Sequence, residues 1–185
     1  MAHILGLAGS LRQASFNGWL LRAAAEVAPA GTTVEIASIH GIPLYDADAE
    51  AAEGVPPVVE ALKNRIAAAD ALLIATPEYN NSIPGVAKNA IDWLSRPPAD
   101  IVRVFANRPV AIIGATPGLG ATALAQAAWL AVFRTLRMRP WFGERLTVAS
   151  ARNVFDAEGR LTDEAVRKKL ASFIKGFAEF VDGRG

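Results

Sequence analysis

Nine residues near the N-terminus, Gly9-Ser10-Leu11-Arg12-Gln13-Ala14-Ser15-Phe16-Asn17, combine groups that can grip an anion. They follow an apolar run over residues 4–8 and open a helical pattern over residues 15–27. Ser15 is the expected N-cap, and Pro29 lies just beyond the end. A helix starting there aims its free N–H groups and the positive end of its dipole at the loop. Ser10, Ser15 and Asn17 add neutral donors suited to phosphate oxygens, and Arg12 adds a planar cation that can make two parallel hydrogen bonds. No Gly-Lys-Ser/Thr follows, so the loop is not a Walker A turn, and Gly6 and Gly9 sit too early for Gly-x-Gly-x-x-Gly. That argues against a nucleoside triphosphatase and an ordinary dinucleotide site. On the residues alone a second reading stays open: a capped helix after a polar turn, with Arg12 solvated.

Two further segments have groups suited to a flat ligand. Thr76-Pro77-Glu78-Tyr79-Asn80-Asn81-Ser82-Ile83-Pro84-Gly85 is stiffened by two prolines, and Tyr79 offers an aromatic face for stacking. Ala115-Thr116-Pro117-Gly118-Leu119-Gly120 has small residues that let a backbone approach a planar molecule closely. Each also reads as a plain strand-to-helix turn.

The rest of the chain offers little acid–base chemistry. There is no cysteine, which excludes a disulfide framework, an iron–sulfur cluster, a thiolate zinc site and a cysteine nucleophile. His3 and His40 lack matched acidic partners in the sequence and read as structural or solvated. Asp46, Asp48, Glu50 and Glu53 read as a solvated acidic loop, without the glycine and terminal glutamate of a calcium loop. The four tryptophans read as packing residues. A bound cofactor can carry the hard chemistry where side chains do not. A net charge of +1, from 19 basic and 18 acidic residues, leaves no footprint for nucleic acid.

These loops need rigid elements to hold them. Short apolar runs at residues 4–8, 33–37, 71–75 and 110–114 read as strands, and a last strand falls within residues 139–149. Helical patterns fill residues 15–27, 56–69, 84–94, 119–136 and 161–181. The alternation predicts an α/β fold with a parallel sheet between two helix layers; five strands suit a flavodoxin-like three-layer sandwich with the order 2-1-3-4-5, and another doubly wound order stays open. With 185 residues and no linker, residues 1–185 are expected to form one domain. Ligands of such sheets bind beyond the carboxyl ends of the strands, which is where the three loops fall. Residues 114–133 carry no charge, but Pro117, Gly118 and Gly120 break the run, so a buried helix is expected rather than a membrane span. The N-terminus has no signal-peptide pattern, and a cytoplasmic location is expected.

The motifs Gly9-Ser10-Leu11-Arg12 with Ser15 and Asn17, and residues 77–85 running on into Lys88-Asn89-Ala90-Ile91-Asp92-Trp93-Leu94-Ser95-Arg96-Pro97, resemble the NAD(P)H-dependent FMN reductases, a family that includes chromate and quinone reductases. The resemblance implies non-covalent FMN, with chemistry at its N5 atom, no catalytic side chain and no metal. It implies NADPH or NADH as donor and a small-molecule acceptor such as a quinone, free flavin or chromate. It places the phosphate at Ser10, Arg12, Ser15 and Asn17, with Phe16 beside them. It places the flavin ring at Pro77, Glu78, Tyr79, Asn80 and Ser82, with further contacts at Ala115, Thr116 and Gly118. Thr116-Pro117 departs from the more glycine-rich loop of the family, which leaves substrate preference open. Arg96 is a candidate for the phosphate of the nicotinamide cofactor, with a surface cation as the alternative. Members are usually dimers or tetramers, and the apolar helix near residues 120–133, where Gln126 is the only amide, is expected to pack on its copy. A flavodoxin-type electron carrier without its own substrate is the alternative, although such carriers tend to be strongly acidic and this chain is not.

Overall fold

Strand-forming and fully apolar stretches pair into one parallel sheet: β1 (Ala2–Ala8), β2 (Thr32–Ala37), β3 (Ala71–Ala75), β4 (Pro109–Ala115), β5 (Arg139–Pro140) and β6 (Leu146–Val148). The computed structural model describes residues 1–183. The sheet order is β2-β1-β3-β4-β5, and β6 also pairs with β4. The expected order 2-1-3-4-5 is therefore present, but two short strands share the fifth position. β3 is buried at all five residues, as a central strand covered on both faces must be.

The split of the last strand has a local cause. β5 ends just before Trp141, whose N–H still donates to the Val110 carbonyl at 2.8 Å while its indole packs on Phe173 and Phe177, with ring centroids 4.9 and 5.7 Å apart. The chain bulges over residues 142–145 and pairs again where Leu146 meets Ile113.

Among the described residues there are seven α-helices: α1 (Phe16–Glu26), α2 (Ala47–Glu53), α3 (Pro57–Ala68), α4 (Gly85–Leu94), α5 (Ile101–Val104), α6 (Ala123–Thr135) and α7 (Glu164–Val181). α1 and α7 pack on one face, where Leu20, Leu21, Phe173, Ile174 and Phe177 are buried against Ile4, Leu73 and Ile113. α3, α4 and α6 pack on the other, where Ile66, Ile91, Trp129 and Phe133 meet Leu5, Leu72 and Val110. Burying each of these large side chains stabilises the fold by about 1.5–3 kcal/mol. α6 starts at Ala123 and not near Leu119, because Ala121 and Thr122 take left-handed conformations with φ of 50° and 61°. Gly114 explains the turn. A Cβ there would collide with the buried Thr122 hydroxyl and lie 2.6 Å from the Thr76 carbonyl. Only glycine lets this close approach occur.

The acidic run expected to be a loop is the helix α2, capped by Asp46, whose side chain accepts from the Asp48 N–H at 2.8 Å. No residue of α2 is buried by itself, so no apolar pattern marks it. Its segment is strapped to α4. Asn89 Nδ2 and Trp93 Nε1 both donate to the Pro43 carbonyl, at 2.8 and 2.9 Å, and Asn89 Oδ1 accepts from the Tyr45 N–H at 2.8 Å. Much of the motif over residues 88–97 thus serves the scaffold. Arg96 Nε donates to both Glu50 oxygens, at 3.0 and 2.8 Å, and Tyr45 donates its hydroxyl to Glu50 at 2.9 Å. Through its Nε, Arg96 accordingly ties the end of α4 to the strap. Behind it, Lys63 is fully buried on α3 and paired with Asp100 at 2.6 Å and with Glu60, while it donates to the Arg96 carbonyl at 2.7 Å. These partners offset the cost of burying its charge. His3, read as unpartnered, meets Glu35 at 2.7 Å at the opposite edge of the sheet.

The Glu50 carboxyl is held below its ordinary value by the Arg96 hydrogen bond first and by Tyr45 after that. A lowered folded-state pKa stabilises the fold above the unfolded value and loses that contribution as pH falls through the folded one. The thermal-midpoint advantage of the native chain over Glu50→Gln should be full near neutral pH and shrink as pH drops below 4.5. Melting curves across an acid series read this directly, and a difference independent of pH would contradict it.

Candidate active site

The strands carry their C-terminal ends to one edge. Ala8 pairs with Ala75, Ala75 with Ile113, and Ala115 with Val148. The ladder continues past them, with Gly9 N–H donating to Ala75 at 2.8 Å and Thr76 N–H to Ile113 at 2.9 Å. Three loops therefore leave side by side and enclose a cleft lined by Ser10, Arg12, Ser15, Phe16, Asn17, Pro77, Glu78, Tyr79, Ala115, Thr116 and Pro117. Ten of these eleven were expected from the sequence. Pro117 is the addition. Asn80 and Ser82 lie outside the cleft lining, on an exposed turn, and Gly118 is one residue beyond it.

The first wall is the start of α1. Ser15 caps it, its hydroxyl accepting from the Gly18 N–H at 3.3 Å, as expected. The N–H groups of Phe16 and Asn17 have no acceptor among the described residues. Arg12 is exposed, and its guanidinium makes no hydrogen bond or ion pair among the described residues. An unpaired cation next to unused helix donors is a site for an anion. Gly9 is packed so closely that a Cβ would lie 3.1 Å from Pro77 and 3.3 Å from Ala87. Phe16 is held edge-on by Trp19, with centroids 5.3 Å apart.

Asn17 differs from expectation in its side chain. The amide is buried and paired with one residue: Nδ2 donates to the Ala115 carbonyl and Oδ1 accepts from the Ala115 N–H, each at 2.9 Å. Its side chain fixes α1 to the end of β4, and its backbone N–H stays without an acceptor among the described residues. Sequence reasoning missed this because the partners lie 98 residues apart.

The second wall begins at Thr76, buried, whose hydroxyl donates to the Pro77 carbonyl at 2.8 Å and accepts from Trp129 Nε1 at 3.1 Å. Tyr79 and Ser82 then exchange backbone hydrogen bonds of 3.2 and 3.0 Å around Asn80 and Asn81, both at positive φ. This is the backbone of a two-residue type I′ turn, for which asparagine is well suited. Closing the turn uses the Tyr79 and Ser82 N–H groups, whereas those of Glu78 and Asn80 make no hydrogen bond among the described residues. The Tyr79 ring is about half exposed. Glu78 does not present its carboxylate to the cleft as a free group. Its Oε2 accepts from the Leu124 and Ala125 N–H groups at 2.8 and 2.9 Å.

The third wall is held from behind. Thr116 N–H donates to Val148 at 3.0 Å, and Ala151 N–H donates to Thr116 at 3.0 Å. The cleft so built has Arg12 and the open start of α1 at one end and the walls from the loops after β3 and β4 at the other. It holds no group of three or more metal-ligating side chains among the described residues.

The sequence pattern of the NADPH-dependent FMN reductases matches residues 2–153. The chain belongs to that family. It is 47% identical over 167 residues to an NAD(P)H-dependent FMN reductase of Pseudomonas aeruginosa, covering 90% of this chain and 88% of the relative. It is 40% identical over 176 residues to a 2-hydroxy-1,4-benzoquinone reductase of a Burkholderia species, covering 95% and 94%. Among solved structures, the flavoenzyme NAD(P)H:(acceptor) oxidoreductase FerB of Paracoccus denitrificans superposes over the whole of both chains with a TM-score of 0.87 and 32% identity. This family member is an oxidoreductase with FMN as cofactor and NAD(P)H as donor. Its cleft fits that cofactor, since Arg12 and the α1 N–H groups suit a phosphate and the Glu78 N–H suits an acceptor of a flavin ring.

If Arg12 grips the phosphate, Arg12→Ala should weaken FMN binding by about 1.5–3 kcal/mol, the range for a hydrogen bond to a charged group. Titration of FMN fluorescence measures it, and unchanged affinity would mean that Arg12 stays in solvent.

Proposed function

We propose that the chain passes electrons from NAD(P)H, through FMN held in this cleft, to quinones and similar small acceptors. The observation that carries the reading is the unpaired Arg12 at the start of α1, in one cleft with residues 77–79 and 115–117. Bound FMN supplies the redox chemistry, accepting hydride from the nicotinamide and releasing electrons to the acceptor. Arg12, Ser10 and the first N–H groups of α1 hold the phosphate. The free Glu78 N–H holds the ring edge and stabilises negative charge on it, as an oxyanion hole stabilises developing charge. Tyr79 and Thr116 line the same cleft and would border a bound ring. No side chain of the cleft is required to move a proton in the first half-reaction. A quinone as acceptor is supported by the Burkholderia relative, whose name specifies a benzoquinone. A cytoplasmic location fits the need for NAD(P)H.

With FMN bound, the protein should oxidise NADPH or NADH steadily when a benzoquinone is added, with parallel double-reciprocal lines because donor and acceptor use one site in turn. Flavin that is reduced once but never turns over with quinone would favour an electron carrier instead.

We also infer a homodimer or a tetramer built from such dimers. α7 lies on the other face of the sheet, so among the described residues no helix covers the outer side of α6. Leu124 and Leu130 on that side are 53% and 42% exposed, and Leu119 and Phe142 nearby are exposed further. Light scattering at micromolar concentration should give at least twice the chain mass of 19.5 kDa, and a monomer would remove the inference.

A further inference from the structure

The start of α6 is capped from a distance. Its first-turn N–H groups need acceptors. The residue in the capping position, Thr122, cannot supply one: its side chain makes no cap hydrogen bond, and its buried hydroxyl accepts from Gln126 Nε2 at 3.2 Å. The acceptor is Glu78, 46 residues earlier, whose Oε2 takes the Leu124 and Ala125 N–H groups together. The loop after β4 closes around the same carboxylate, since a Cβ on Gly120 would lie 3.5 Å from Glu78 Oε1. A charged oxygen on a helix N-terminus gains from both the hydrogen bonds and the dipole.

Glu78 sits between Pro77 and Tyr79, which line the cleft, and it grips the helix that follows the opposite wall. The second hold between this loop and α6 is the Trp129 bond to Thr76, at the base of the loop and behind the cleft. The Glu78 contact is the one at the loop's outer part. It also occupies the α6 N-terminus with a protein carboxylate, while the α1 N-terminus stays open beside an unpaired arginine.

We propose that Glu78 is a positioning residue of this site: its carboxylate, docked on α6, sets the gap between the loops after β3 and β4, and its side chain is not itself a cofactor ligand. This rests on the reading that the flavin ring lies between those loops. Two measurements test it, amide hydrogen exchange in the apoprotein and FMN affinity by fluorescence quenching. Glu78→Ala should speed exchange of the Leu124 and Ala125 amides by about tenfold and weaken FMN binding by about tenfold, the scale of a lost N-cap, with α1 amides unchanged. Glu78→Gln should keep both within about threefold, because its amide oxygen still accepts both N–H groups. If Glu78→Ala does not fold, Glu78→Asp, too short to reach both donors, has the same expected outcome. Two results would overturn the proposal: wild-type FMN affinity despite fast exchange at Leu124 and Ala125, or a Glu78→Gln protein that protects those amides yet binds FMN as weakly as Glu78→Ala. Wild-type protein that fails to bind FMN would instead overturn the flavin reading, and the positioning role with it, while the amide pattern would stand as a structural cap.

Discussion

Backbone groups at the carboxyl end of β4 have to be satisfied where the sheet gives out, and Asn17 does this with one side-chain amide. Its two hydrogen bonds to Ala115 act like a further rung of the ladder, supplied by a helix and not by a strand. The consequence is positional. The first turn of α1, which offers free N–H groups, is tied to the loop after β4. Leaving either Ala115 group unpaired in this buried place would cost about 1–3 kcal/mol. Thr116 continues the pattern, bonded to Val148 and Ala151. The cleft is thus a rigid edge of the sheet, and not three loops that happen to meet.

The polar groups around the cleft divide into two sets. Asn17, Thr76 and Glu78 are spent on the protein: on β4, on Trp129 and Pro77, and on α6. Arg12 and the N–H groups of residues 16, 17 and 78 are left over. The second set has the chemistry of an FMN site: one cation and helix donors for phosphate, and a backbone donor for a ring rich in acceptors. Unpaired donors that cluster in one place call for a ligand, because polar groups that lose water need partners.

Much of this was legible in the sequence, for physical reasons that differ by element. β3 was readable to the residue because a central parallel strand is apolar throughout, and the α1 start because Ser15 caps it locally. α2 was not, because none of its residues is buried and its fixing bonds come from Asn89 and Arg96. The start of α6 was not, because a left-handed Thr122 is permitted by Gly114 across the fold. At the site, the first loop declared its chemistry locally. The scaffold roles of the Asn17 and Glu78 side chains depend on partners 98 and 46 residues away, so the sequence did not reveal them. The long motif over residues 88–97 was the most specific signal of family, yet Asn89, Trp93 and Arg96 hold the strap at residues 43–50 and line none of the cleft.

The central claim is that this edge of the sheet binds a flavin. The visible absorption spectrum of the purified protein, taken after saturation with FMN and removal of the excess, tests it most directly. A flavin spectrum with about one FMN retained per chain, lost when the protein is unfolded and desalted, is the predicted result. A colourless protein that neither retains FMN nor quenches its fluorescence would contradict it.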